Sequence, residues 1–219
     1  MQSISVGSDY SPKEEFLNAL THGIGTVFAI AALVLMLVKA VDSTAGFNGF
    51  QMTGIALYGA SLIVMFLSST LYHSLSNTRA KPLFKRLDHC AIFALIAGTY
   101  TPILLIGLDT SKAVVFFWIL WGLAVFGIVF KVLFVHRFER ISLMTYLGMG
   151  WLSVFLIRDM YRVLSPQALN LIIAGGVLYT VGAVFYALKG YRYTHAIWHG
   201  FVFAAALCHA WAIGVYVIH

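Results

Sequence analysis

A small set of side chains able to bind metal or move protons lies within apolar sequence, where ionisable groups are costly and by default mark function. Ser69 and His73 are four residues apart, as are His195 and His199, so each pair shares one helical face. Two imidazoles at that spacing can hold one metal ion, and a third from another helix leaves a tetrahedral ion with one open position. Three histidines plus water form a catalytic type of zinc site, whereas a structural site closes its fourth position. Asp88 is the one acid expected at that depth, placed with Ser69 to hydrogen-bond a bound water or orient a ligand. Plainer readings stay open. A His-x-x-x-His pair can hydrogen-bond between helices, and a serine in a membrane helix commonly bonds back to the carbonyl four residues earlier.

A second constellation, Glu15-x-x-Asn18-x-x-Thr21-His22, precedes the first apolar run, and positions 15, 18 and 22 share a face. Either it faces the same layer, or it is capping in an interfacial helix. The remaining histidines rank lower. His209 is ~15 Å further along its helix than His199, too far to share an ion. His219 falls outside the last span, and His89 and His136 lack a spaced partner. Arg158 and Asp159 read as an interfacial pair.

The elements that must position these residues follow from composition. The 219 residues are 61% hydrophobic and only 10% charged, with a mean hydropathy of +0.89. Soluble domains carry about 25% charged residues, and a water-soluble fold of this size cannot hide such an apolar excess. A soluble enzyme, a nucleic-acid module and a disordered regulator are excluded, and membrane lipids are the expected partners. Seven runs are long enough to cross a bilayer as helices, at roughly 22–40, 51–73, 88–108, 113–135, 141–157, 168–188 and 195–218. No repeat or linker divides them, so residues 1–219 read as a single all-α seven-helix membrane domain, with 1–21 a cytoplasmic segment lacking a cleavable signal core.

Orientation follows from the basic residues. Lys13, Arg79, Lys81, Lys85, Arg86, Lys131, Arg137, Arg140, Lys189 and Arg192 fall on one side, and Lys39, Lys112, Arg158 and Arg162 on the other. The amino terminus is therefore expected in the cytoplasm and the carboxyl terminus outside. This places His73, Asp88, His195 and His199 in one cytoplasmic-side layer, with Asp88 opening the third span. Trp151, Trp198, Tyr72, Tyr191 and Tyr193 read as interfacial anchors. Gly54, Gly59, Gly122, Gly127, Gly175, Gly176 and Gly182 suit close helix approach in lipid. Pro102 is a candidate kink, and Cys90 and Cys208 offer no disulfide framework.

In order along the chain, Glu15-x-x-Asn18-x-x-Thr21-His22, Ser69-Thr-Leu-Tyr-His73, Asp88 and His195-Ala-Ile-Trp-His199 give a sequence that resembles the hemolysin III family, the bacterial branch of the progestin and adipoQ receptor group. The resemblance covers nearly the whole chain and implies a multi-pass protein of the bacterial inner membrane. It implies Zn2+ held by His73, His195 and His199, with Asp88 and Ser69 contacting the water at the fourth position. It also implies a cytoplasmic amino terminus and kinship with alkaline ceramidases in a wider set of proposed membrane hydrolases.

The expected function is then zinc-dependent hydrolysis of a membrane lipid, an acyl amide or ester, with Asp88 as general base and then proton donor. The usual metalloprotease helix has Glu after its first His, where this chain has Ala196, so Asp88 carries that role alone. The alternatives are a non-enzymatic sensor of membrane lipid state and a pore-forming hemolysin-like protein. A retinal protein is excluded because the last span has no lysine, and a di-iron oxidase because Asp88 is alone at its level. Bis-His haem fits poorly, since neighbours on one helix compete for the same side of the ring.

Overall fold

The computed structural model describes residues 10–75, 78–134, 138–188 and 191–218. His136, Arg137, Lys189 and His219 lie outside the described residues. Among the described residues, seven helices are long and apolar enough to cross a membrane: α1 (Pro12–Asp42), α2 (Gly49–Ser74), α3 (Lys81–Leu108), α4 (Ser111–Phe134), α5 (Glu139–Val163), α6 (Pro166–Ala187) and α7 (Thr194–Val217). No strand occurs among the described residues. Helices are the form such sequence takes because hydrocarbon cannot hydrogen-bond a backbone, and a helix satisfies its own.

Three boundaries depart from the sequence expectation. α1 starts at Pro12 rather than near residue 22, so most of the expected cytoplasmic segment that is described here is helical. Ser11 and Glu14 form a reciprocal capping box, and Pro12, with no N–H to lose, opens the first turn. α3 starts at Lys81, which puts Asp88 two turns inside the helix instead of at its first position. α5 reaches Val163 by passing through a tighter 3-10 stretch at Leu152–Leu156.

α3 lies at the centre, most of its length buried, with Phe93, Ala97 and Leu104 almost wholly enclosed. Its neighbours follow in chain order, α1 on α2, α2 on α3, α3 on α4, α6 on α7, with α7 closing against α1. α5 touches α3, α4 and α6 more sparingly. The outward faces carry exposed Val27, Leu35, Phe126 and Phe155, an apolar surface suited to hydrocarbon rather than water. At Pro102 α3 widens into a π-helix over Ile103–Leu108, since proline supplies no N–H to the tighter ladder. α7 ends the same way over Ala212–Val217. The carbonyls loosened there are capped from other helices. Lys39 Nζ donates to Gly214 O and Val215 O (2.9 and 3.0 Å), and Gln51 Nε2 donates to Leu105 O (3.2 Å).

Several smaller expectations are corrected. Gly59, Gly127, Gly175 and Gly182 sit where a Cβ would strike Leu33, Phe93, His209 and Trp198, but Gly122 and Gly176 face open space. Trp151 lies mid-span at the 3-10 stretch, Tyr72 is buried and Trp198 is half-buried against a cavity, so only Tyr191 and Tyr193 remain exposed near a helix end. Asp159 pairs with Lys112 Nζ (2.6 Å) rather than with its neighbour Arg158, because α4 presents Lys112 across the gap. The expectation of no disulfide is met, since Cys90 and Cys208 both carry free thiols.

Candidate metal centre

Alternation of seven helices brings the start of α1, the end of α2, the start of α3 and the start of α7 to one end of the bundle. His73 is the penultimate residue of α2, and His195 and His199 occupy the first two turns of α7. One ligand atom from each of these three histidines lies within 4.8 Å of the other two. His73 and His199 are buried and His195 half-buried. The Nε2 atoms of His195 and His199 are 3.1 Å apart. Nitrogen ligands at 2.0–2.1 Å from a tetrahedral zinc ion are about 3.4 Å from each other, so this pair already has the required spacing. His73 Nε2 is buried with no hydrogen-bond partner among the described residues, and such an atom is expensive unless something polar meets it. Three imidazoles with one lone pair left unused fit a borderline-soft divalent cation.

The face predicted from Glu15, Asn18 and His22 turns inward. All three are buried, which settles the open choice against a role in capping, since the cap is made by Ser11 and Glu14. Glu15 Oε2 is 2.5 Å from His73 Nδ1, and Glu15 Oε1 accepts from Lys81 Nζ at 2.6 Å. Asn18 Nδ2 lies 3.4 Å from the same His73 nitrogen. His22 stacks on His199 with centroids 3.7 Å apart and meets Phe66 edge-on. Asp88 is therefore not the one acid at this depth. Extending α1 back to Pro12 carries Glu15 down to His73.

Sequence reasoning missed three further residues. Lys81 counted only as an orientation signal, yet it is buried and lies 5.1 Å from the Tyr72 ring centroid as well as holding Glu15. Glu14 Oε1 accepts the backbone N–H of Tyr193 (2.7 Å), the left-handed residue (φ +64°) that starts α7. Tyr10 stacks on His195 at 4.6 Å. The available signals were the acid pair at 14 and 15 beside a helix-capping serine and a lone lysine preceding Pro82; neither discloses a partner.

Beside the cluster is a polar chamber of about 440 Å³, lined among others by His22, Asp88, His89, Glu139, His195 and His199. Asp88 thus shares a cavity with two of the three clustered histidines. His89 Nδ1 donates to Lys85 O at 2.7 Å and is 3.7 Å from Asp88 Oδ2. Ser69 is one turn from His73 on α2, wholly buried, with an Oγ that has no hydrogen-bond partner among the described residues. It is not among the chamber-lining side chains. Met65, Ile92, Trp198 and Val202 line both this chamber and an apolar pocket of about 190 Å³ reaching along α3, α5, α6 and α7. His209 is in that pocket, its Nε2 bonded to Ile172 O (3.1 Å), well apart from the cluster as expected.

Seven membrane-spanning helices around a buried three-histidine cluster define a multi-pass membrane protein with a candidate metal site at one end of its bundle. The chain belongs to the haemolysin-III related family, which matches residues 10–210. It is 42% identical over 193 residues to the hemolysin-3 homolog of Bacillus subtilis (strain 168), covering 88% of this chain and 89% of that protein. With hemolysin-3 of Bacillus cereus the identity is 41% over 206 residues, 94% and 93% of the two chains. The human monocyte to macrophage differentiation factor is 28% identical over 210 residues, 93% of this chain and 84% of that protein. The bacterial relatives and the seven apolar helices agree with a multi-pass bacterial membrane protein.

Proposed function

We propose that this protein is a zinc-dependent hydrolase of a membrane lipid, acting on an acyl amide or ester from the cytoplasmic leaflet. The observation that carries this reading is the convergence of three histidine ligand atoms within 4.8 Å beside a polar chamber that borders an apolar pocket. His73, His195 and His199 would hold the ion. Bound zinc acts as a Lewis acid that polarises a carbonyl and brings the pKa of a coordinated water to about 7.

The chain's own residues supply the rest. The apolar pocket offers a lipid tail a place beside the chamber, so that a carbonyl at the chain's head comes to the histidines. An Asp88 carboxylate oxygen takes the proton from the attacking water and returns it to the departing amine or alcohol. Ser69 Oγ, buried one turn from His73 and lacking a partner, serves as a hydrogen-bonding group toward the same centre. The aromatic and aliphatic wall shared by the two cavities restricts water to the side that needs it.

The test is turnover by purified protein in nanodiscs against acyl-amide and acyl-ester lipids, with products read by mass spectrometry and metal by elemental analysis. Asp88→Asn is expected to keep the metal and lose about 10²–10⁴-fold in rate, the usual worth of a positioned acid–base group. Metal-replete protein that releases no product from any lipid overturns the hydrolase. The sensor reading would then stand, and it draws on the same observation that the histidines bridge α2 and α7, elements distant in sequence. The pore reading, which the name of the bacterial relatives suggests, is weaker because the polar chamber gives way to an apolar pocket.

A further inference from the structure

The opening turn of α1 takes no part in the chemistry above, yet two adjacent acids on it reach both ligand-bearing helices. Glu15 engages His73 with Oε2 and Lys81 with Oε1. Glu14 accepts the N–H of Tyr193, two residues before His195, and so holds a left-handed residue at the start of α7. A carboxylate only accepts, so the 2.5 Å contact requires His73 Nδ1 to carry the ring proton. The lone pair is then on Nε2, which is the buried atom without a partner.

We infer that Glu15 is a positioning residue of the metal centre, the carboxylate that fixes the tautomer and ring direction of His73 so that Nε2 is its ligating atom. The inference rests on the metal reading given under Proposed function. Histidines that bind metal almost always donate their other ring N–H to a carboxylate, a backbone carbonyl or water, which orients the ring and raises its basicity. Fold stability alone does not account for the arrangement. A buried acid–lysine pair is often no better than apolar residues of the same volume, yet Glu15, only 4% exposed, is held from two sides with one oxygen on a ligand-bearing helix.

The test uses the full chain in nanodiscs and zinc as the probe. Glu15→Leu together with Lys81→Met removes the acceptor and its charge without leaving a buried ammonium unpaired. The double variant is expected to keep its helix content and metal-free melting temperature while losing about 10–100-fold in zinc affinity, read by competition with a chromophoric chelator. An affinity within about threefold of the native chain overturns the inference, because an orienting carboxylate contributes more than that. A second measurement needs no variant to fold. In zinc-loaded native protein labelled with 15N-histidine, the His73 ring is expected to show a protonated Nδ1 and a metal-shifted Nε2; a metal-shifted Nδ1 overturns the inference. Native protein that takes up no zinc at all is a different result, which removes the metal reading itself.

Discussion

His22 separates a ligand from a neighbour of ligands. It is buried and stacked on His199, yet it is not one of the three histidines whose ligand atoms converge. His22→Phe keeps the ring stack and removes both nitrogens, so zinc per chain is expected to stay at the native level by elemental analysis. His199→Ala, by contrast, takes away a ligand and is expected to leave the purified protein near metal-free. Zinc lost from His22→Phe but retained in His199→Ala would invert the assignment. Much of this centre was legible in the residues. The four-residue spacing of His195 and His199 and the matching depth of His73 were enough to place three imidazoles together. The anchoring shell was not, because its partners are set by where a helix begins. Starting α1 at Pro12 turns Glu15 from a water-facing acid into the partner of His73 and Lys81.

At the scale of elements, helix contacts in lipid depend on small residues, and the structure divides the glycines into two kinds. A Cβ on Gly182 would lie 2.7 Å from Phe201 Cβ and 2.8 Å from the Trp198 ring, where α6 packs on α7 beside the chamber. Gly182→Ala is therefore expected to force the two helices apart, at a cost of roughly 1–3 kcal/mol. At about 2–4 °C per kcal/mol for a chain of this size, thermal unfolding in detergent should show a drop of several degrees. Gly122 and Gly176 meet nothing within 4 Å, so Gly122→Ala is expected to leave the midpoint unchanged or raise it, alanine being the better helix former by about 1 kcal/mol. Equal losses at the two sites would mean that glycine is needed for something other than contact. The spans themselves were readable because hydropathy marks what enters hydrocarbon. Which glycine faces a neighbour was not, because seven apolar helices with little amphipathic contrast do not disclose their rotation about their own axes. The same holds for Lys112, whose pairing with Asp159 depends on α4 and α5 lying side by side.

For the whole molecule, the direction of insertion decides which leaflet feeds the chamber. The sequence places ten basic residues on one side and four on the other, by the assignments given above. Burial narrows that bias without reversing it. At the end of the bundle away from the histidines, Lys39 is half-buried against the carbonyls of Gly214 and Val215, and Lys112, Arg158 and Arg162 are exposed. At the histidine end Lys81 and Lys131 are buried, but Lys13, Arg79, Arg86, Arg140 and Arg192 remain exposed. The positive-inside rule counts Lys and Arg in short connections and near span ends, and each one near the surface adds about 1 kcal/mol of attraction to an anionic inner leaflet. The histidine end, and with it the amino terminus, is expected in the cytoplasm. Alkaline phosphatase fused after His219 should therefore be active and a green fluorescent protein fused there dark, with the reverse for fusions after Lys189. If the pattern is exchanged, the chamber opens to the outer leaflet, and the lipid sought as substrate must be one found there.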